Sequence, residues 1–212
     1  EDVGFPRLVV AVVEFGDVAA ADQADEALVG AGLLRQGHGQ HRLPLLAQND
    51  FYPDLGSIPA DVLARTKLLV INYPNSPTGR HVPREKLEAV LRAAPWHTRL
   101  WVDETYVEYT GPDQSLERFA AASENVIVAK SMSKVYALSG ARVAYLCAGH
   151  HQLEALRAIT PPWVVGLPAQ VAAVRALQDP AYYAARYQET AGLRESLAAG
   201  LRELGWDVLP GI

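Results

Sequence analysis

Residues 68–79 read Leu-Leu-Val-Ile-Asn-Tyr-Pro-Asn-Ser-Pro-Thr-Gly. The first five form a short apolar run closing on a polar residue, the pattern of a buried strand. Tyr73 to Gly79 is turn chemistry that ends it. Just downstream, Pro83 opens a helix with Leu87, Val90 and Leu91 on one face. The same alternation then repeats. Leu100-Trp101-Val102 is a second buried strand, ending at Asp103. Residues 115–122 suit a helix. Val126-Ile127-Val128 is a third strand running into the polar stretch 130–134, and residues 143–147 are a fourth. Strands alternating with helices predict an α/β fold, a mostly parallel sheet flanked by helices.

Outward from this centre the pattern changes. Residues 168–177 and 180–204 carry long helical patterns punctuated by Pro and Gly, and residues 208–212 read as the start of another element. Upstream, Leu8 to Val13 is an apolar run suited to a buried strand, and the Ala- and acid-rich residues 18–28 suit a helix. Residues 1–41 hold seven acidic side chains against Arg7 and Arg35, which accounts for the whole net charge of −5. From residue 42 onward the charges balance, so the chain divides near that point.

Composition narrows the possible functions. Half of the 212 residues are apolar and 20% are charged, enough for a sizeable core and against intrinsic disorder. No apolar run approaches the roughly 18 residues of a membrane span. A basic stretch followed by an apolar one, the mark of a secretory signal, is not seen at the start of the sequence. The single cysteine, Cys147, has no internal partner, which suits a reducing, cytoplasmic setting. The net acidity gives no global basic field to attract nucleic acid.

Open α/β sheets gather ligands at the carboxyl ends of their strands. Three polar clusters fall at such ends: Asn72 to Thr78, Asp103 to Tyr106, and Ser131 to Lys134, with Arg142 a little further on. A carboxylate directly after Leu-Trp-Val is either a cap or ion-pair partner, or the counter-ion of a bound heterocycle. Tyr106 belongs to the same cavity or to the core. Lys134 is followed by Val135-Tyr136-Ala137-Leu138, which predicts partial burial. Such burial disfavours an ammonium, and a neutral amine attacks carbonyl carbon. Ser131, Ser133 and Arg142 offer hydroxyls and a guanidinium fork suited to phosphate, or else a turn and a surface ion pair. No set of residues with metal-ligand spacing stands out.

Taken together, Asn75-Ser76-Pro77-Thr78-Gly79, Asp103-x-x-Tyr106, Ser131-x-Ser133-Lys134 and Arg142 resemble fold-type-I pyridoxal-phosphate enzymes. The likeness is to class I/II aminotransferases of the histidinol-phosphate aminotransferase-like kind. It covers roughly residues 42–212. The resemblance implies pyridoxal 5′-phosphate as cofactor, amino acid and 2-oxo acid as substrates, and a homodimer. It also implies the roles. Lys134 would carry the cofactor as a Schiff base and shuttle the substrate proton. Asp103 would pair with the ring nitrogen. Tyr106 would reach the ring's phenolic oxygen, as would Asn75 or Ser76, of which Asn75 is preferred for its amide donor. Ser131, Ser133 and Arg142 would hold the phosphate.

The same residues also serve a PLP-dependent decarboxylase or cyclase. Relatives usually place asparagine directly before Pro-Thr-Gly, where this sequence has Ser76. The resemblance divides the chain into an atypical segment 1–41, a cofactor-binding large-domain core 42–178, and a helix 179–212 leading toward an incomplete small domain. On that reading the chain is a fragment, a shortened or fused relative, or a frame-shifted product. Lacking a carboxylate-clamping arginine, unless Arg186 or Arg194 serves, it would have little turnover by itself.

Overall fold

A computed structural model of the protein describes residues 58–76 and 78–212. The strand expected at 8–13, the helix at 18–28 and Pro77 lie outside the described residues. Four strands form one sheet in the order β1-β2-β3-β4: β1 Leu68–Asn72, β2 Arg99–Asp103, β3 Val126–Ser131 and β4 Ala144–Cys147. The first three run parallel and β4 runs antiparallel to β3. Parallel neighbours need a crossover segment, and the intervening helices supply it. Between β1 and β2 lies α2, Arg84–Ala93, and between β2 and β3 lies the short α3, Glu117–Ala121. A brief α1, Ala60–Arg65, precedes β1.

Side-chain alternation gives each strand two faces. On one face Leu69, Ile71, Leu100, Val102, Val126 and Val128 pack against Leu87 and Leu91 of α2 and against Leu116 and Ala120. Val90, expected on the same helical face, is half-buried. On the other face Ile127, Leu146 and Ala148 meet Leu153 of α4, His150–Ile159. The sequence pattern does not announce that helix, because Leu153, Leu156 and Ile159 are a thin apolar stripe beside two histidines. A third cluster joins Met132, Val143, Tyr145 and Val165 to Ala169, Ala173 and Ala176 of α5, Leu167–Leu177.

The long helix α6, Pro180–Glu203, starts on Asp179, whose side chain caps the Tyr182 amide. Its first turns dock by rings: Tyr183 stacks edge-on against Tyr136, and Tyr187 against Tyr109. Residues 208–212, expected to begin a new element, form neither helix nor strand. Instead the Ile212 amide donates to the Gly79 carbonyl at 3.2 Å. Among the described residues no helix is long and apolar enough to cross a membrane.

Candidate active site

β1 and β2 stop in register, and β3 runs two residues further. Asn72 pairs with Asp103, and Asp103 pairs with Ala129, two residues before Ser131. Alternation puts Asp103, Ala129 and Ser131 on the sheet face opposite the main core.

Asp103 is half-buried. Its Oδ1 accepts two bonds, from the Thr105 amide at 2.9 Å and the Thr105 hydroxyl at 2.6 Å. Among the described residues Oδ2 accepts none, so one oxygen is anchored and the other is open to a further donor. Tyr106 precedes a 3₁₀ turn, Val107–Thr110, and is half-buried.

Past β3 the chain alternates again. Met132 is fully buried, a plug whose amide donates to Val143 O. The plug leaves Ser131 and Ser133 partly exposed on either side, with their hydroxyls 2.8 Å apart. Lys134 follows and is exposed, which corrects the partial burial expected from its apolar neighbours. The reason is visible locally. Val135 turns inward and is buried, and the Ala137 amide closes a turn on the Lys134 carbonyl, lifting Lys134 to the outside.

Arg142 is exposed, with φ +51° and ψ +50°. Its guanidinium donates to Ser139 O at 3.3 Å and makes no ion pair among the described residues. A left-handed backbone at a non-glycine residue costs about 1–2 kcal/mol.

The Asn75 turn is closed by two backbone bonds, Gly79 N to Asn75 O and Asn75 N to Arg80 O, each 2.8 Å. Thr78 Oγ1 donates to Asn75 Oδ1 at 2.8 Å, which leaves Nδ2 as the donor. Ser76 is exposed.

Behind this face lies a polar network that the sequence motifs do not include. Lys130 is 4% exposed, and its Nζ lies 2.6 Å from Glu108, 3.3 Å from Glu104 and 3.7 Å from Glu117. Glu104 is fully buried and also accepts from Ser115 Oγ at 2.7 Å and the Leu116 amide at 2.6 Å. Tyr145, the register partner of Lys130, donates to Glu117 at 2.5 Å. Burial by itself would push the Lys130 ammonium down, but Glu108, Glu104 and Glu117 outweigh it and hold it above the ordinary lysine value. Burial, and then the charge on Glu117, push the Cys147 thiol up to about 11, so it stays a thiol. The sequence signal for this network is strand alternation: if Ser131 faces out, Lys130 must face in.

The donor set suits a phosphorylated pyridine aldehyde. It has a carboxylate with one open oxygen, an exposed amine, paired hydroxyls, a guanidinium, an amide and a phenol. Comparison with known proteins agrees with this architecture. Residues 34–211 match the aminotransferase class I and II family, and the chain belongs to it. It is 33% identical over 159 residues to an aromatic amino acid aminotransferase of Rhodococcus erythropolis, covering 75% of this chain and 44% of that one. It is 32% identical over 215 residues to an LL-diaminopimelate aminotransferase of Moorella thermoacetica, covering 96% and 54%. A histidinol-phosphate aminotransferase of Sinorhizobium meliloti, solved in complex with pyridoxal-5′-phosphate, superposes with a TM-score of 0.78 at 26% identity, covering 87% of this chain and 50% of that one. The chain spans about half the length of the curated relatives it matches.

Proposed function

We propose that this chain forms the cofactor-binding part of a pyridoxal 5′-phosphate-dependent aminotransferase, moving an amino group between an amino acid and a 2-oxo acid. One observation carries the reading. The ends of three adjacent strands, and the loops that follow them, present a group of suitable type for each polar part of that cofactor. The cofactor supplies an aldehyde carbon that takes up the amino group and a pyridine ring that withdraws electrons.

The residues divide the remaining work. Asp103, anchored through Oδ1 by Thr105, offers Oδ2 to the protonated ring nitrogen, a charge-assisted bond. Tyr106 and Asn75 Nδ2 donate to the ring oxygen. Ser131, Ser133 and Arg142 hold the phosphate. Lys134 would supply the amine that tethers the cofactor, and its Nζ would serve as the base for the substrate Cα proton.

The named relatives differ in amino donor, so the proposal is the shared reaction rather than one of their substrates. We also read the protein as cytoplasmic and homodimeric. The exposed side chains Trp163, Leu167, Val171 and Val174 support self-association, since exposed apolar patches mark interfaces. Sedimentation of a monomer at every concentration would overturn that part.

The test of the main reading is spectroscopic. Adding pyridoxal 5′-phosphate to the protein should produce a visible absorbance band that Lys134→Ala abolishes. An identical band in the Lys134→Ala protein would refute the site.

A further inference from the structure

The residues proposed to touch the cofactor alternate with residues that point the other way. Asp103 is followed by Glu104, and Ser131 is preceded by Lys130. Glu104 and Lys130 are both buried on the core face of the sheet, and their charged groups lie 3.3 Å apart. The tips of β2 and β3 are therefore tied behind the site by one ion pair while presenting Asp103 and Ser131 in front of it.

Lys130 reaches further. Its 2.6 Å bond to Glu108 pins the 3₁₀ turn Val107–Thr110, whose leading residue is Tyr106. Through Glu104 the network also fixes the Ser115 hydroxyl and the Leu116 amide, where α3 begins. Glu117 on that helix lies 3.7 Å from Lys130 and is bonded by Tyr145 of β4. One ammonium thus joins two strand tips and two further elements. Three carboxylates surround this single cation, more than a neutral pair needs. Glu108 Oε2 is buried with no hydrogen-bond partner among the described residues. An apolar core would hold the same elements without that cost, so the network's distinctive contribution is geometric.

We infer that Lys130 is a positioning residue: anchored by Glu104 and Glu108, it sets where Asp103, Tyr106 and Ser131 stand relative to one another. The inference rests on the cofactor reading above and deepens it.

The test compares the parent chain with Lys130→Met, Lys130→Arg and Glu108→Gln. Amide exchange is measured without cofactor. Affinity and the pH titration of the bound chromophore are measured with pyridoxal 5′-phosphate. Lys130→Met should exchange at least about tenfold faster at residues 103–110 and 130–134 while α5 keeps its parent rates. Its cofactor affinity should fall about tenfold or more, and the chromophore's titration should shift. Lys130→Arg, which keeps the charge, should recover most of the affinity. Glu108→Gln should loosen residues 106–110 alone and shift the titration in the same direction.

The proposal is overturned if Lys130→Met and Glu108→Gln only melt lower, with exchange at residues 103–110, affinity and titration all unchanged. If Lys130→Met does not fold, Glu108→Gln decides between the same outcomes. A parent chain with no Lys134-dependent absorbance refutes the cofactor reading instead, and the exchange comparison then decides the positioning role without cofactor.

Discussion

Lys130 and Lys134 stand close in sequence but in opposite surroundings: Lys130 is 4% exposed and within 3.7 Å of three carboxylates, whereas Lys134 is exposed beyond the buried plug Met132. An ammonium locked into ion pairs has neither a free lone pair nor access to a carbonyl. Amine-directed reagents at neutral pH should therefore modify Lys134 and spare Lys130. Borohydride reduction with pyridoxal 5′-phosphate should likewise leave a pyridoxyl label on Lys134. Peptide mapping checks both. A label on Lys130 would mean that the network opens in solution.

The same contrast sets an alkaline limit on stability. Lys130 has a folded-state pKa above its unfolded value of about 10.4, so its contribution is fully present below that value. The contribution is lost as pH rises through the higher folded-state value. Buried Tyr145 acts in the same direction: burial, and then Glu117, keep its phenol neutral in the folded state, while the unfolded phenol ionises near pH 10. Urea unfolding should show stability falling steeply above about pH 10. At pH 7, Lys130→Met should cost about 3–5 kcal/mol, because it leaves buried carboxylates without their cation.

For Asp103→Asn the expected effects separate. The asparagine carbonyl can still accept from Thr105, so stability should change by less than about 1 kcal/mol. An amide cannot hold a ring nitrogen protonated, so removal of the Cα proton should suffer far more than cofactor binding does. Calorimetry, cofactor titration and single-turnover kinetics on the assembled enzyme measure the three. Equal deprotonation rates in mutant and parent would remove Asp103 from the proposed role.

The legibility of these features in the sequence depends on the kind of signal each one leaves. β1, β2, β3 and β4 are visible because a short apolar run between turn residues is too brief for a helix and too apolar for a loop, and the motifs at their ends follow. α4 escapes notice because its buried stripe is short: Gln152 and Leu153 are its only buried residues. The tail at 208–212 resembles a new element because Val208 and Leu209 are apolar, but it meets Gly79 in irregular backbone. Lys130 and Glu104 are readable in principle from strand alternation. They hide because charged residues are normally assigned to the surface. Lys134 looks buried in the sequence and is not, because Val135, Tyr136 and Leu138 pack inward while Lys134 and Ala137 stay outside.

Arg142 offers a test in which stability and binding move apart. Its φ of +51° is a conformation that glycine adopts without penalty. Arg142→Gly should leave stability unchanged or raise it by up to about 1 kcal/mol, since the gain is offset by glycine's greater freedom in the unfolded chain. Cofactor affinity should fall, because the proposed charge-assisted contact with the phosphate, worth about 1.5–3 kcal/mol, would be gone. Inorganic phosphate, if it enters the proposed phosphate site, should lose affinity in parallel. Unchanged binding of both ligands would show that the strained backbone serves something other than the phosphate.

The last prediction concerns the crossing of Gly79 and Gly211. Gly79 has φ +68°, and a Cβ there would lie 3.2 Å from the Gly211 Cα. A Cβ on Gly211 would lie 3.0 Å from the Thr78 carbonyl oxygen. The tail after α6 thus rests directly on the turn that carries Asn75, and a side chain at either glycine would crowd that contact. Gly79→Ala suffers twice, from the left-handed backbone, worth about 1–2 kcal/mol, and from the clash. Gly211→Ala suffers the clash alone and should push the tail off the turn. Its expected signature is faster amide exchange at Gly79 and Ile212, with a stability loss smaller than that of Gly79→Ala. Once the tail has left, the clash term of Gly79→Ala is already spent, so the double variant should be less destabilised than the two single variants added together. Strict additivity would show that the two glycines do not touch in solution.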